Sequence, residues 1–123
     1  MMGEVLKGYY QLIEGHDGGG FMFTLRAGNH ETILESRVYW TRQAALNAVS
    51  AVRTCSQDPA LYVRREQPAG QHFFELVDAA GLVLGRSVGC TTRAGLAAGM
   101  ASVQRNAPAT TFRGLVRRAL AMG

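Results

Sequence analysis

Residues 21–52 read FMFTLRAGNHETILESRVYWTRQAALNAVSAV, and residues 72–103 read HFFELVDAAGLVLGRSVGCTTRAGLAAGMASV. Laid over one another at a shift of 51 with no gap, they place Phe23 on Phe74, Leu25 on Leu76 and Ser36 on Ser87. Thr41 falls on Thr92, Arg42 on Arg93 and Val52 on Val103. Conservative partners fill the intervals: Ile33 with Leu84, Val49 with Met100 and, upstream, Tyr10 with Leu61. Pro59 and Pro108 follow the two segments, two positions out of register. A fixed period of this kind marks one supersecondary unit used twice.

Each unit reads as three strands and a helix. In the first, Tyr9–Glu14 is aromatic and β-branched, and the glycines of Gly15–Gly20 break it as a hairpin loop does. Phe21, Phe23 and Leu25 alternate with Met22, Thr24 and Arg26, the period of a half-buried strand. Gly28 and Asn29 are expected to supply the positive φ of the next turn, and Glu31–Ser36 is the third strand. Thr41 stands at a helix N-cap, with Ala45, Val49 and Val52 on one face behind it and Asp58-Pro59 as the stop. The second unit repeats the pattern with strands at Ala60–Glu66, Gln71–Val77 and Leu82–Ser87. Its helix is capped by Thr92, faces inward with Leu96, Met100 and Val103, and ends at Ala107-Pro108. Gly85, Gly95 and Gly99 weaken this copy locally, and close helix–sheet packing is the expected reason for them. A unit of about 50 residues is a poor core alone. The fold class is therefore α+β: a tandem of two β-β-β-α units, 9–58 and 59–108, in one pseudo-two-fold domain with an antiparallel sheet and the helices packed on it. Phe23, Leu25, Phe74, Leu76, Val49, Val52, Met100 and Val103 are the expected core.

Composition sets the outer bounds. The 123 residues are 47% hydrophobic and 18% charged, ordinary for one globular domain. Two cysteines, Cys55 and Cys90, are too few for a disulfide scaffold and are read as free thiols. No apolar run approaches the roughly 20 residues of a membrane span, and Met1–Lys7 has no signal-peptide pattern. A cytoplasmic location is the expectation. Three of the 13 basic residues, Arg113, Arg117 and Arg118, sit in 109–123 with no acid, which leaves ten basic and nine acidic residues in 1–108. The excess charge is thus in the tail, and the body has no basic patch by count.

The segment Phe23-Thr24-Leu25-Arg26-Ala27-Gly28-Asn29, then Thr32-Ile33-Leu34-Glu35-Ser36 and Tyr39, and a helix ending Val49-Ser50-Ala51-Val52-Arg53 resemble the YegP-like family of small uncharacterised bacterial proteins. Gly99-Met100-Ala101-Ser102-Val103 supplies the family's helix pattern in the second unit. The resemblance covers about residues 9–108 and implies tandem β3-α motifs, or two chains of one motif each, with no established activity, cofactor or catalytic residue. The second unit departs from it: Asp78-Ala79-Ala80-Gly81 replaces the Asn-containing turn, and Cys90 stands where the Tyr is expected. If that turn and that Tyr serve a ligand, only Asn29 and Tyr39 can still do so.

The other chemical candidates read as structural. His16-Asp17 with Gly18–Gly20 joins two strands and does not open a helix, so a phosphate loop is disfavoured against a hairpin. His16, His30, His72, Cys55 and Cys90 are spread singly, without the ligand pairs of structural zinc, and no metal or other cofactor is expected. Ser36, Ser87 and Cys90 lie at strand-to-helix connections without a nucleophile elbow, and turn hydrogen bonding is the better role. Glu31 and Glu35 are read as a solvated strand face. In the tail, 109–123, Phe112, Leu115, Val116, Ala119 and Leu120 fall at helical spacing beside the three arginines. The tail is expected as a basic amphipathic helix, docked on the body or partly ordered.

No catalytic constellation emerges, so the expected function is a non-enzymatic binding or protein-interaction module. Its expected surface is a helix-free sheet face carrying Met22, Thr24, Arg26, Phe73 and Glu75, suited to a protein partner or a homo-oligomer. The alternative is nucleic-acid binding through Arg113, Arg117 and Arg118, which steep salt dependence would reveal.

Overall fold

The computed structural model describes residues 7–88 and 92–118. They form β1 (Tyr9–Gly15), β2 (Phe21–Arg26), β3 (Thr32–Glu35), α1 (Arg42–Cys55), β4 (Tyr62–Glu66), β5 (His72–Val77), β6 (Val83–Arg86), α2 (Arg93–Asn106) and β7 (Phe112–Arg118). Short 3-10 turns occupy His16–Gly18 and Pro59–Leu61. The strands make one sheet in the order β4-β5-β6-β3-β2-β1-β7, antiparallel except where β7 runs parallel to β1. This is the α+β tandem read from the sequence, with one strand added. Neither helix is long and apolar enough to cross a membrane, among the described residues.

The local signals act as read, with three corrections. Thr41 Oγ1 accepts the Ala44 N–H at 3.0 Å and Thr92 Oγ1 accepts the Gly95 N–H at 3.0 Å, so both helices start on the expected cap. In the β2–β3 turn the positive φ is at His30 (70°), not at Gly28 or Asn29. Asp78–Leu82 repeats the turn's backbone bonds and places Gly81 (86°) at the matching position. His30 holds this backbone because the Tyr9 hydroxyl meets its Nδ1 at 2.8 Å and Arg26 donates to its carbonyl at 2.8 Å. The second correction concerns the first strand. Tyr10 lies opposite Leu25 and Tyr62 opposite Leu76, so Tyr10 corresponds to Tyr62 and not to Leu61. The β1–β2 connection is one residue longer than its counterpart, which shifts the register upstream of it.

The third correction is the tail. It is not a helix: Phe112–Arg118 is a strand on the outer edge of β1. Phe112 registers with Tyr10 and Leu115 with Leu12, across a bulge in which Gly114 takes φ 62°. The bulge separates two same-face positions by three residues, which imitates the i, i+3 spacing of a helix. Arg53 of α1 ties the strand down by donating from Nε to the Ala109 carbonyl at 2.9 Å. Its guanidinium lies over both the Tyr10 and Phe112 rings. Ala119 and Leu120 lie outside the described residues, as does Cys90.

Both helices cover the same sheet face and share one core with Tyr10, Phe23, Leu25, Leu34, Phe74 and Leu76. Seven of the eight expected core residues are fully buried, and Met100 is partly buried against them. The halves meet at a single register pair, Glu35 with Arg86, which are 51 apart, so the pseudo-two-fold passes between them. At this joint Leu34 takes space that a second side chain would need: a Cβ on Gly85 would lie 2.7 Å from Leu34 Cγ. The close approach at Gly85 is therefore to the neighbouring strand and not to a helix. At Gly99 it is the expected helix–sheet contact, since a Cβ there would lie 3.4 Å from Phe74.

Each helix bridges the joint. α1 reaches β2, β5 and β6, and α2 reaches β5, β3 and β2. Their C-terminal caps are fixed by equivalent tyrosines. Tyr62 donates to the Ser56 carbonyl at 2.9 Å and Tyr10 donates to the Ala107 carbonyl at 2.6 Å, each cap 51 residues from the other.

The helix-free face is not an open platform. Met22, Thr24, Phe73 and Glu75 are all nearly buried. Arg86 lies 4.8 Å over the Phe73 ring, and Glu75 accepts from Arg65 at 3.0 Å and from Arg86 at 3.4 Å. Long arginine stems cover this half of the face, which removes the apolar surface expected there.

Two outcomes follow from this packing. Gly85→Ala destabilises by about 1–3 kcal/mol in urea melts, and adding Leu34→Ala costs less than the two single changes summed. Burial pushes the Tyr62 hydroxyl from 10.0 up to about 12 and raises that of Tyr10 as well. The folded state then holds protons that the unfolded chain has lost, so this stabilisation is complete below pH 10 and disappears as pH rises through about 12. Between pH 9 and 12 the melting temperature of the wild type therefore falls more steeply than that of the Tyr10→Phe/Tyr62→Phe variant.

Candidate functional site

The two serines at the strand-to-helix connections are engaged in structure. Ser36 Oγ accepts the Phe23 N–H at 2.9 Å, and Ser87 Oγ accepts the Phe74 N–H at 2.9 Å. Both hydroxyls thus complete the hydrogen bonding of a central strand, a role close to the turn bond expected from the sequence. Cys55 is a free, partly buried thiol whose pKa is raised, first by burial and then by Asp78 and Asp58. Among the described residues no three His, Cys, Asp or Glu side chains come within reach of one metal ion.

The five proposed site residues do not converge. Asn29 is exposed in the β2–β3 turn, where its Oδ1 accepts the Glu31 N–H at 3.1 Å and its Nδ2 reaches the Glu31 carboxylate at 3.4 Å. Glu31 lies outside β3, and both it and Glu35 are exposed. Tyr39 is at the opposite end of β2, bridged to Phe21 by two backbone bonds of 2.7 and 2.6 Å. Arg37 lies over its ring, and burial raises its hydroxyl pKa. Arg113 covers the Tyr9 ring at 4.6 Å, and Arg117 pairs with Glu14 at 3.5 Å. Arg118 closes β7 in register with Gly15. Trp40 is 79% exposed.

A different group of residues does converge. At the outer end of the second unit a cleft of about 620 Å³ opens between the β4–β5 hairpin and the start of α2, within the range of small-ligand sites. The hairpin places Arg64 opposite Phe74 and Glu66 opposite His72, with Gly70 (φ 87°) making its turn. Phe74 is buried under α2, so Arg64 emerges on the helix side next to it. Arg93 and Leu96 are three apart on α2 and share a face, Leu96 buried as floor and Arg93 exposed as rim. Arg65 is drawn to Glu75 on the other face. Arg64 and Arg93 have no ion pair among the described residues. The cleft thus holds two uncompensated guanidinium groups and His72 against one acid, Glu66.

Two further clefts are less suited to a ligand. One of about 450 Å³ at the joint balances Glu35 against Arg37 and Arg86, the latter already on Glu75. One of about 640 Å³ lies between Lys7, the first of the described residues, Arg105 and Thr111. The count of charge along the chain did not reveal the basic cleft, because Arg64 and Arg93 are 29 residues apart in a nearly neutral body. The one local signal was the Arg64-Arg65 pair on a strand that proves to be an edge.

Comparison with known proteins agrees with the repeat. The family model described as a domain of unknown function, DUF1508, matches residues 17–62 and again 68–113, limits that differ by the same 51. A UPF0339 protein of Bordetella pertussis is 36% identical over 103 residues, spanning 84% of this chain and 91% of its own. The UPF0339 protein YegP of Escherichia coli K12 is 31% identical over 108 residues, spanning 88% and 97%. The solution NMR structure of E. coli yegP, described as a protein of unknown function, aligns with a TM-score of 0.82 at 28% identity over 98% of this chain and all of that one (100%). That of a UPF0339 protein from Shewanella oneidensis aligns at 0.81 and 30%, over 90% and 92%.

If Ser36 and Ser87 are structural, Ser36→Ala and Ser87→Ala each leave a buried N–H without its acceptor. Each then costs about 1–3 kcal/mol in denaturant melts. A loss below about 0.5 kcal/mol would show that the hydroxyl is spare.

Proposed function

We propose that this chain, which belongs to the DUF1508 family of domains of unknown function, is a non-enzymatic binding module for acidic polypeptide partners. The observation that supports this reading is the cleft beside β4, where Arg64 and Arg93 stand above the apolar floor of Leu96 with no carboxylate partner among the described residues. Guanidinium groups favour carboxylates in paired geometry, and an apolar floor favours a side chain over a hydrated ion. The structural duties of Ser36, Ser87, Tyr10 and Tyr62 favour binding over chemistry. Nucleic-acid binding through the tail finds less support, because Arg113 is stacked on Tyr9 and Arg117 is paired with Glu14.

The test is fluorescence anisotropy with a labelled oligoglutamate peptide and, separately, a labelled single-stranded oligonucleotide of equal charge. The account expects the peptide to bind, and Arg64→Glu with Arg93→Glu to weaken it by about tenfold or more. Arg117→Gln should leave it unchanged. A peptide that does not bind, or that binds the cleft variant equally well, refutes the reading. Tight oligonucleotide binding lost on changing the tail arginines replaces it with the nucleic-acid function.

A further inference from the structure

The two outer ends of the pseudo-symmetric sheet are treated differently. In space, β4-β5-β6 and β1-β2-β3 are equivalent halves, so the outer edge of β4 corresponds to the outer edge of β1. The edge of β1 is filled: β7 runs along it from Phe112 to Arg118, and the Tyr10 N–H donates to the Thr111 carbonyl at 2.9 Å. The edge of β4 pairs with no strand among the described residues.

We infer that the outer edge of β4 accepts an extended acidic segment of a partner protein as an eighth strand. This deepens the binding reading above and rests on it, since the same cleft receives the segment's side chains. The backbone geometry supplies the first support. Gln67 N–H bonds the Gln71 carbonyl inward across the hairpin. Alternation along the strand then turns the N–H and C=O of Arg64 and Glu66 outward. These are unsatisfied strand-edge groups of the kind that recruit a further strand. β7 on β1 is this same fold holding a strand at the equivalent edge.

Charge selects the occupant. β4 carries Arg64, Arg65 and Glu66, and β7 carries Arg113 and Arg117. An antiparallel β4–β4 pair centred on Arg64 or Arg65 sets two arginines face to face at its centre, and the β7 of a second copy brings two more, which disfavours self-association at this edge. A strand with carboxylates on alternate residues instead sets one row of acids toward Arg64 and Arg93. Only Glu66 opposes it on the cleft side.

The experiment uses the full chain and a short peptide alternating Glu and Val, with two versions N-methylated on one or the other hydrogen-bonding edge. Isotope-edited NMR follows amide exchange at Arg64 and Glu66. The account expects the parent peptide to slow exchange at both amides by about tenfold or more. It expects one N-methylated version to bind about tenfold more weakly and the other to bind like the parent, since only one edge of the added strand faces β4. Equal binding by all three peptides, still lost in Arg64→Glu/Arg93→Glu, overturns strand addition while leaving the acidic cleft standing. No binding by any peptide overturns both. Protection of these amides that rises with protein concentration in the absence of peptide shows that a second copy is the occupant, and overturns the acidic-partner assignment.

Discussion

The thin joint between the repeats governs everything else in this fold. β3 and β6 meet at one register pair, Glu35 with Arg86, beside a position where Leu34 has room only because residue 85 is glycine. So short a ladder holds two three-stranded halves weakly. The helices therefore carry the connection. α1 and α2 each lie across strands of both units, and their buried faces merge into one core around Phe23, Phe74, Leu25 and Leu76. The tyrosine bonds at Ser56 and Ala107 fix the far ends of those helices. Neither unit has a core of its own that is separate from the other.

The added strand lies outside this symmetry. The family match takes in β2, β3 and α1 with the first residue of β4, and again β5, β6 and α2 with the first two residues of β7. In space the strand beside β5 is β4, which follows α1, whereas the strand beside β2 is β1, from the start of the chain. β1 and β4 thus hold equivalent places, and β7 has no counterpart beside β4 among the described residues. β7 lies on the outer side of β1 and runs parallel to it. One edge of the sheet is covered in this way and the other, at β4, is left exposed with its arginines and its cleft. The two ends differ because β7 adds to β1 while no described strand adds to β4.

Much of this was legible in the residues. The 51-residue shift located β2, β3, α1 and their copies, because sheet alternation and the Thr41 and Thr92 caps are local signals. The serines at 36 and 87 were visible as a pair, although their acceptor role toward Phe23 and Phe74 needs the strand ladder to be seen. What failed depended on distant contacts. The β7 segment has no preference strong enough to settle helix against strand, and the bulge at Gly114 supplied a misleading period. The Tyr10–Tyr62 equivalence was hidden by one extra residue in a glycine loop. The basic cleft joins residues from a hairpin and a helix that no pattern along the chain connects. Alternation along β5 marks Phe73 and Glu75 as facing away from the helices, but only the fold shows Arg65 and Arg86 lying over them.

The central claim is that the crossing helices make the two repeats one cooperative unit despite the single-pair joint. Native-state amide hydrogen exchange tests it most directly, because it reads the opening free energy of each strand separately. The account predicts that the slowest amides of β2, around Leu25, and of β5, around Leu76, exchange with one shared free energy equal to that of global unfolding. Exchange of the β5–β6 amides at a clearly lower free energy, while those of β2–β3 remain protected, would contradict it.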